Sequence, residues 1–224
     1  MRLLRRKPRS FEIQVQDMVL QITAGTDINE ESRAAALSFW EQLQAYSLRN
    51  PSVRTSKRPI EIPGDAPAIV REMVAAAGRA GVGPMYSFQG AVTDHVGRFL
   101  TRSTTEVTVS TGGDYFIAGK KRQKLTVFRG LDGGSLAVVV PPSANGIGVA
   151  TSTGHGKMAI DGIAVIASSC MLAEAAAAGI QAILPKQGGF GAALAYIKKV
   201  PGVLGGMVLV GDRIGLAGGL EIAA

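Results

Sequence analysis

The sequence predicts a domain of mixed α and β structure, and three observations carry that reading. Of 224 residues, 46% are hydrophobic and 18% charged, with mean hydropathy +0.21. That is room for one full core, too small for a large multidomain enzyme and too apolar for a disordered chain. Runs that alternate apolar and polar residues stand beside runs with helical spacing. No repeat of fixed period stands out, so a single domain is expected. The 29 glycines, well above the average share, point to tight turns or close backbone approaches.

In chain order, residues 11–23 alternate as one or two strands would, with a polar stop over 24–29. Residues 30–48 read as an amphipathic helix, because Ala36, Trp40, Leu43 and Tyr46 recur at helical spacing and Asn50-Pro51 ends the pattern. The Pro-, Ser- and cation-rich stretch 51–65 reads as an extended connection. Pro67 opens a second helix whose Ile69, Val70, Met73, Val74 and Ala77 share one face. A helical stretch from Met85 to about Leu100 follows. Strands are expected at 105–110, 114–118, 123–129 and 135–140, then a Gly-rich turn. Residues 160–166 read as a buried strand, and Ser168 or Ser169 caps an Ala-rich helix to about Ala182. Short apolar runs between Gly-Asp and Gly-Gly pairs at 202–222 read as hairpin strands.

Composition excludes several chemistries. One cysteine rules out an internal disulfide framework and a Cys-rich zinc site, and two histidines leave little for a His cage. Net charge is +7, but Arg2, Arg5, Arg6, Lys7 and Arg9 supply most of it; without them 19 cations face 17 anions. Residues 1–10 are therefore assigned to a basic tail and 11–224 to the domain. The tail is either a solvated terminus or a segment that attracts nucleic acid, an anionic membrane or a partner protein. It is not read as a secretory signal, because an alternating strand follows the cations where an apolar run is needed. A cytoplasmic location is expected. Residues 162–185 carry one charge, Glu174, but break into strand and helix, so no membrane span is expected.

The phosphate motifs fail on inspection. Gly154-His155-Gly156-Lys157 resembles the end of a P-loop, but Thr151 stands where its first Gly belongs and Met158 where Ser or Thr is needed. The nearest dinucleotide fingerprint, Gly189-Phe190-Gly191, reaches Leu194 at its sixth place. Cys170 lies in an apolar helix with no activating cation and reads as an inert thiol. His95 reads as a structural imidazole. Residues 151–157 crowd Thr151, Ser152, Thr153, Gly154, His155 and Lys157 together. Such a loop either binds phosphate or an anionic ring edge or is a polar turn.

Three blocks taken in order are more specific: Ala80-Gly81-Val82-Gly83-Pro84-Met85, Gly112-Gly113-Asp114, and Gly148-Val149-Ala150-Thr151-Ser152 leading through Gly154-His155 to Ala173-Glu174-Ala175. With Thr26-Asp27, Asn50-Pro51 and Ala66-Pro67 they cover nearly the whole chain, which resembles the short cytoplasmic branch of ApbE-like proteins of bacteria and archaea. The resemblance implies an α+β fold, a single domain with a mixed, largely antiparallel sheet and packed helices. It implies a flavin-related role, since ApbE-type proteins bind FAD and, with magnesium, pass its FMN part to a Thr or Ser of a protein acceptor. It also implies that Gly83, Met85, Gly112, Gly113, Asp114, Thr151, Ser152, Thr153, Gly154 and His155 wall the ligand, with Asp114 and His155 as catalytic candidates.

The chain departs from that family's magnesium-binding helix, where Asp and Thr stand four apart on one face. Here those places are Glu174 and Ala178. Alanine offers no oxygen, and the longer Glu moves its carboxylate outward by about 1.5 Å. Octahedral magnesium tolerates little such displacement. Glu174 and Asp161 remain as metal candidates. Three readings follow: a binder of FAD, FMN or a similar planar, phosphate-bearing ligand with weakened or lost FMN transfer; an active flavin transferase or FAD hydrolase; or a non-catalytic structural or assembly subunit.

Overall fold

The computed structural model describes residues 8–26, 28–129, 135–152 and 162–223. The first alternating run forms two strands, β1 (Arg9–Val15) and β2 (Met18–Ala24), paired antiparallel. β1 begins at Arg9, inside the stretch assigned to the tail. Helix α1 (Asn29–Arg49) follows as expected and buries Ala36 and Leu43. Residues 51–65 are not wholly extended: Pro51–Thr55 is a short helix, α2, with proline in the first turn, where its missing N–H costs nothing. In α3 (Ala68–Ala80) all five expected core residues are buried. The next helical stretch opens as a 3-10 turn (Pro84–Ser87) and continues as α4 (Phe88–Leu100).

Strands β3 (Val107–Thr111), β4 (Asp114–Gly119), β5 (Gln123–Arg129) and β6 (Ser135–Val140) match the reading within two residues. The Gly-rich stretch expected as a turn is instead the ten-residue strand β7 (Ser143–Ser152). Its glycines serve close approach: a Cβ on Gly148 would lie 2.0 Å from the Ser169 carbonyl carbon. β8 (Gly162–Ala167) is buried at every position, and its expected first residues, Ile160 and Asp161, lie outside the described residues. Ser169 caps α5 (Cys170–Ile183) by accepting the Leu172 N–H. Helix α6 (Gly189–Lys199) was not anticipated; Gly189-Phe190-Gly191 was weighed only as a dinucleotide fingerprint. Strands β9 (Val203–Val210) and β10 (Arg213–Gly218) form the expected hairpin, and β11 (Ile222–Ala223) closes the described chain.

The order β1-β2-β3-β4-β7-β8-β9-β10 makes one sheet and β11-β6-β5 a second, with every described pairing antiparallel. The fold is thus α+β, with helices over one face of the large sheet and the small sheet over the other. β8 shows why its run has no alternation: Ile163, Val165 and Ala167 join the core beneath the helices, while Ala164 and Ile166 join the core beneath the small sheet.

Helices α4 and α5 are held closest at Gly90, where a Cβ would lie 2.7 Å from Met171 Cα and N. Gly90→Ala should therefore cost about 1–3 kcal/mol, as overpacking does. Gly78→Ala, on an exposed position of α3 with open space around it, should gain about 0.5–1 kcal/mol through helix propensity. Urea unfolding of both variants checks the pair; equal effects would show that the helix contact tolerates a methyl group.

Candidate functional site

The Gly112-Gly113 pair is a two-residue hairpin loop, with Thr111 and Asp114 paired across it and Gly112 at φ +55°. Gly113 fits against β7, where a Cβ would meet the Thr151 carbonyl oxygen at 2.7 Å. Its own carbonyl accepts from Thr151 N (2.8 Å) and Thr151 Oγ1 (3.0 Å). The turn is thereby latched to the end of β7, and Asp114 is set opposite Ala150. From the other side, Gly83 presses against Ser56, so that the 3-10 turn presents Met85 and Tyr86.

These pieces enclose a cleft of about 230 Å³ lined by Met85, Tyr86, Ala150 to Ser152, Asp114, Glu174, Ala177, Ala178 and Gln181. Two other clefts are of similar size. One, of about 250 Å³, runs past Pro8, Lys120, Lys121 and Arg122; the other, of about 210 Å³, lies between Arg79, Arg98 and Ser169. Size does not choose between them, but chemistry does, because only the first brings Asp114 and Glu174 together. Of the expected site residues, Met85, Asp114, Thr151, Ser152 and Glu174 line this cleft. Gly83, Gly112 and Gly113 shape its walls without lining it. Thr153, Gly154, His155 and Asp161 lie outside the described residues. Tyr86 and Gln181, whose amide donates to Ser152 Oγ at 2.5 Å, were not anticipated.

Beneath the cleft, two antiparallel helices cap each other. Asp94 of α4 accepts the first two N–H groups of α5, Cys170 to Oδ1 at 2.8 Å and Met171 to Oδ2 at 3.0 Å. Glu174 of α5 accepts the Gly90 N–H in the first turn of α4 at 2.7 Å. Each carboxyl therefore satisfies donors that the other helix cannot satisfy internally. Asp94 was not among the sequence candidates. Its signal was a carboxyl in mid-helix near the apolar Ala91, Val92 and Val96, where burial without a partner would be costly.

Crowding three carboxyls into this volume holds them toward the neutral acid. Burial, reinforced by the charge of Asp94, pushes Asp114 up to about 7. Burial lifts Asp94 to about 6 against the lowering pull of the Met171 and Cys170 N–H groups. Burial and Asp114 push Glu174 well above the usual carboxylate range, against the N–H groups of Gly90 and Gln89. Burial likewise raises the Cys170 thiol, consistent with an inert cysteine. His95 contacts Glu72 at 3.3 Å on the far side of α4, and burial lowers it to about 4, so the neutral imidazole is structural.

The described residues offer a partial donor set for a metal. They contain no group of three His, Cys, Asp or Glu side chains able to hold an ion. Glu174 is engaged by α4, and Ala178 contributes nothing. The magnesium-binding pattern that the resemblance implies is thus incomplete among the described residues, and Asp161, the other metal candidate, lies outside them. The cleft has apolar walls at Met85, Tyr86, Ala177 and Ala178, and Asp114, Ser152 and Gln181 supply polar groups.

Residues 1–186 match the family described as AbpE bacteria. The chain is 25% identical over 221 residues to a UPF0280 protein of Methanocella arvoryzae, covering 95% of this chain and 89% of that one. It is 26% identical over 226 residues to a UPF0280 protein of Methanosarcina acetivorans, covering 95% and 88%. Among solved structures it is similar to flavin transferase ApbE from Vibrio cholerae, with TM-score 0.61, 12% identity and 97% of each chain covered. It is also similar to the ApbE protein of Thermotoga maritima, with TM-score 0.64, 11% identity and 94% and 97% covered. At such identities the structural likeness establishes the fold. No helix among the described residues is long and apolar enough to cross a membrane.

The raised carboxyls have a measurable consequence. Asp94 and Asp114 move from the ordinary 3.8 to about 6 and about 7, so between about pH 4 and pH 7 the folded state holds more protons than the unfolded one. Their contribution to stability is full below about pH 4 and is lost as pH rises to 7. Asp114→Asn should match wild-type melting temperature near pH 4 and exceed it by several degrees near pH 8. A difference that is the same at both pH values would count against a buried, neutral-leaning Asp114.

Proposed function

The chain belongs to the AbpE bacteria family, and we propose that it binds a flavin nucleotide, or a similarly planar phosphate-bearing ligand, in the cleft at Met85, Tyr86, Asp114 and Gln181. Magnesium-dependent FMN transfer is weakened or lost. The fold is that of proteins named flavin transferases, and the ring-sized cleft has apolar walls and hydrogen-bonding edges, which supports the ligand class. The observation that carries the loss of transfer is the 2.7 Å hydrogen bond from Gly90 N–H to Glu174. The residue in the position of a metal-binding Asp is committed to capping α4, and burial holds it toward the neutral form. A carboxyl in that state is a poor magnesium ligand, because the ion requires deprotonated oxygens in near-octahedral array.

Within this reading, the chain's residues bind and orient the ligand. Met85 and Tyr86 cover one side of the ring, and Ala177 and Ala178 leave space on the other. Asp114, Ser152 and Gln181 address its polar edge. His155 and Thr153 are carried as proposed ligand contacts on the resemblance alone. A protein acceptor belongs to the picture only if transfer survives.

FMN and FAD should bind in fluorescence titrations with affinities unchanged by EDTA, and chromatography should show no magnesium-dependent release of AMP and FMN from FAD. Glu174→Gln retains an acceptor for Gly90 and should cost under about 1 kcal/mol, whereas Glu174→Ala should cost about 1–2 kcal/mol, as loss of a cap does. Robust FAD cleavage that Glu174→Gln abolishes would overturn the reading, because it would make Glu174 a metal ligand.

A further inference from the structure

The cleft is electrostatically one-sided. Its floor carries Asp114 and Glu174 with Asp94 behind them, and among the described residues none that lines it is a Lys or Arg. A phosphate directed to that floor would face carboxyls, with no cation among the described lining residues to offset its charge. The nearest cation placed by a described contact is at the rim: Lys57 Nζ sits over the Tyr86 ring, 5.3 Å from its centroid. Tyr86 itself lines the cleft and is 38% exposed.

Lys57 does not hang on a loose segment. A Cβ on Gly83 would lie 2.0 Å from the Ser56 carbonyl oxygen and 3.0 Å from Lys57 Cα, so glycine is what lets the two backbones touch. Ser56 Oγ then closes the following turn, accepting the Arg58 N–H at 3.1 Å and donating to the Arg58 carbonyl at 2.7 Å. The backbone is fixed beside Tyr86 while the ammonium ends a flexible, exposed stem.

We propose that Lys57 is the phosphate-binding cation of the cleft and that the Tyr86 face its ammonium covers is the stacking surface for the ligand's ring. This rests on reading the cleft as a site for a planar phosphate-bearing ligand. The ring enters between Tyr86 and the Ala177–Ala178 side of α5, with its polar edge toward Asp114, and the phosphate stays at the rim. An exposed cation–π contact is weak, whereas an ammonium on a phosphate makes a charge-assisted hydrogen bond about twice as strong as a neutral one. The incoming ligand therefore draws Lys57 off the ring and uncovers the face on which it stacks.

Paired titrations of the full chain with FMN and riboflavin, which differ by the phosphate, test the assignment. Wild type should bind FMN at least about tenfold more tightly than riboflavin, as expected for a hydrogen bond to a charged group. That preference should shrink as salt is added. Lys57→Gln should bring the ratio to about one with riboflavin affinity held within about twofold, and Lys57→Arg should restore part of it. Tyr86→Ala should weaken both ligands about equally, by roughly fivefold or more, as loss of a stacking partner does, and Tyr86→Phe should leave both intact. Binding of both flavins with a ratio untouched by Lys57→Gln would overturn the Lys57 assignment alone. Failure of both to bind would overturn the reading of the cleft and this proposal with it.

Discussion

Two helices that satisfy each other's first turns are the constraint on which the site depends. Asp94 lies four residues after Gly90, and Glu174 four residues after Cys170, so the antiparallel contact places each carboxyl over the other helix's open N–H groups. The arrangement works only at very short range, and Gly90 supplies that range by leaving no Cβ between α4 and Met171. Because α5 also receives Ser169 at its N-cap and meets β7 at Gly148, the two caps fix α5 against the sheet as well as against α4.

The same constraint sets the chemistry above it. A carboxyl that caps a helix from a buried position loses water as well as gaining N–H donors, and here desolvation is the larger effect. Asp114, placed beside the caps by the Gly112-Gly113 turn, feels both burial and a neighbouring carboxyl, and its charge becomes costly near neutral pH. The result, among the described residues, is a cleft with acidic groups at its base and apolar walls.

Much of the fold was legible because its signals are local. The strand at β5, the Ser169 cap and the buried face of α3 each follow from spacing and residue type over one or two turns. The errors also share a physical origin. In β7 glycine was read as a turn former, but its missing Cβ is used for contact: Gly148 meets the start of α5, just as, in the unanticipated α6, a Cβ on Gly189 would collide with the carbonyls of Ile183 and Leu184. Local sequence does not distinguish a glycine that turns from one that touches, since that depends on what packs against it, which for Gly148 is the start of another element.

The sequence by itself determined the α+β class, the order of most elements and the departure of Glu174 and Ala178 from a magnesium-binding pattern, because all of these reside in short-range periodicity or in the identity of single side chains. Only the tertiary structure decided what Glu174 does instead, that Asp94 is its counterpart, and that Tyr86, Gln181 and Lys57 gather at the same opening. Those facts depend on contacts across 84, 76 and 29 residues of chain, between Glu174 and Gly90, Asp94 and Cys170, and Gln181 and Ser152. Hydrogen bonding and desolvation at such separations are properties of packed neighbours, and a side chain's neighbours are set by the fold.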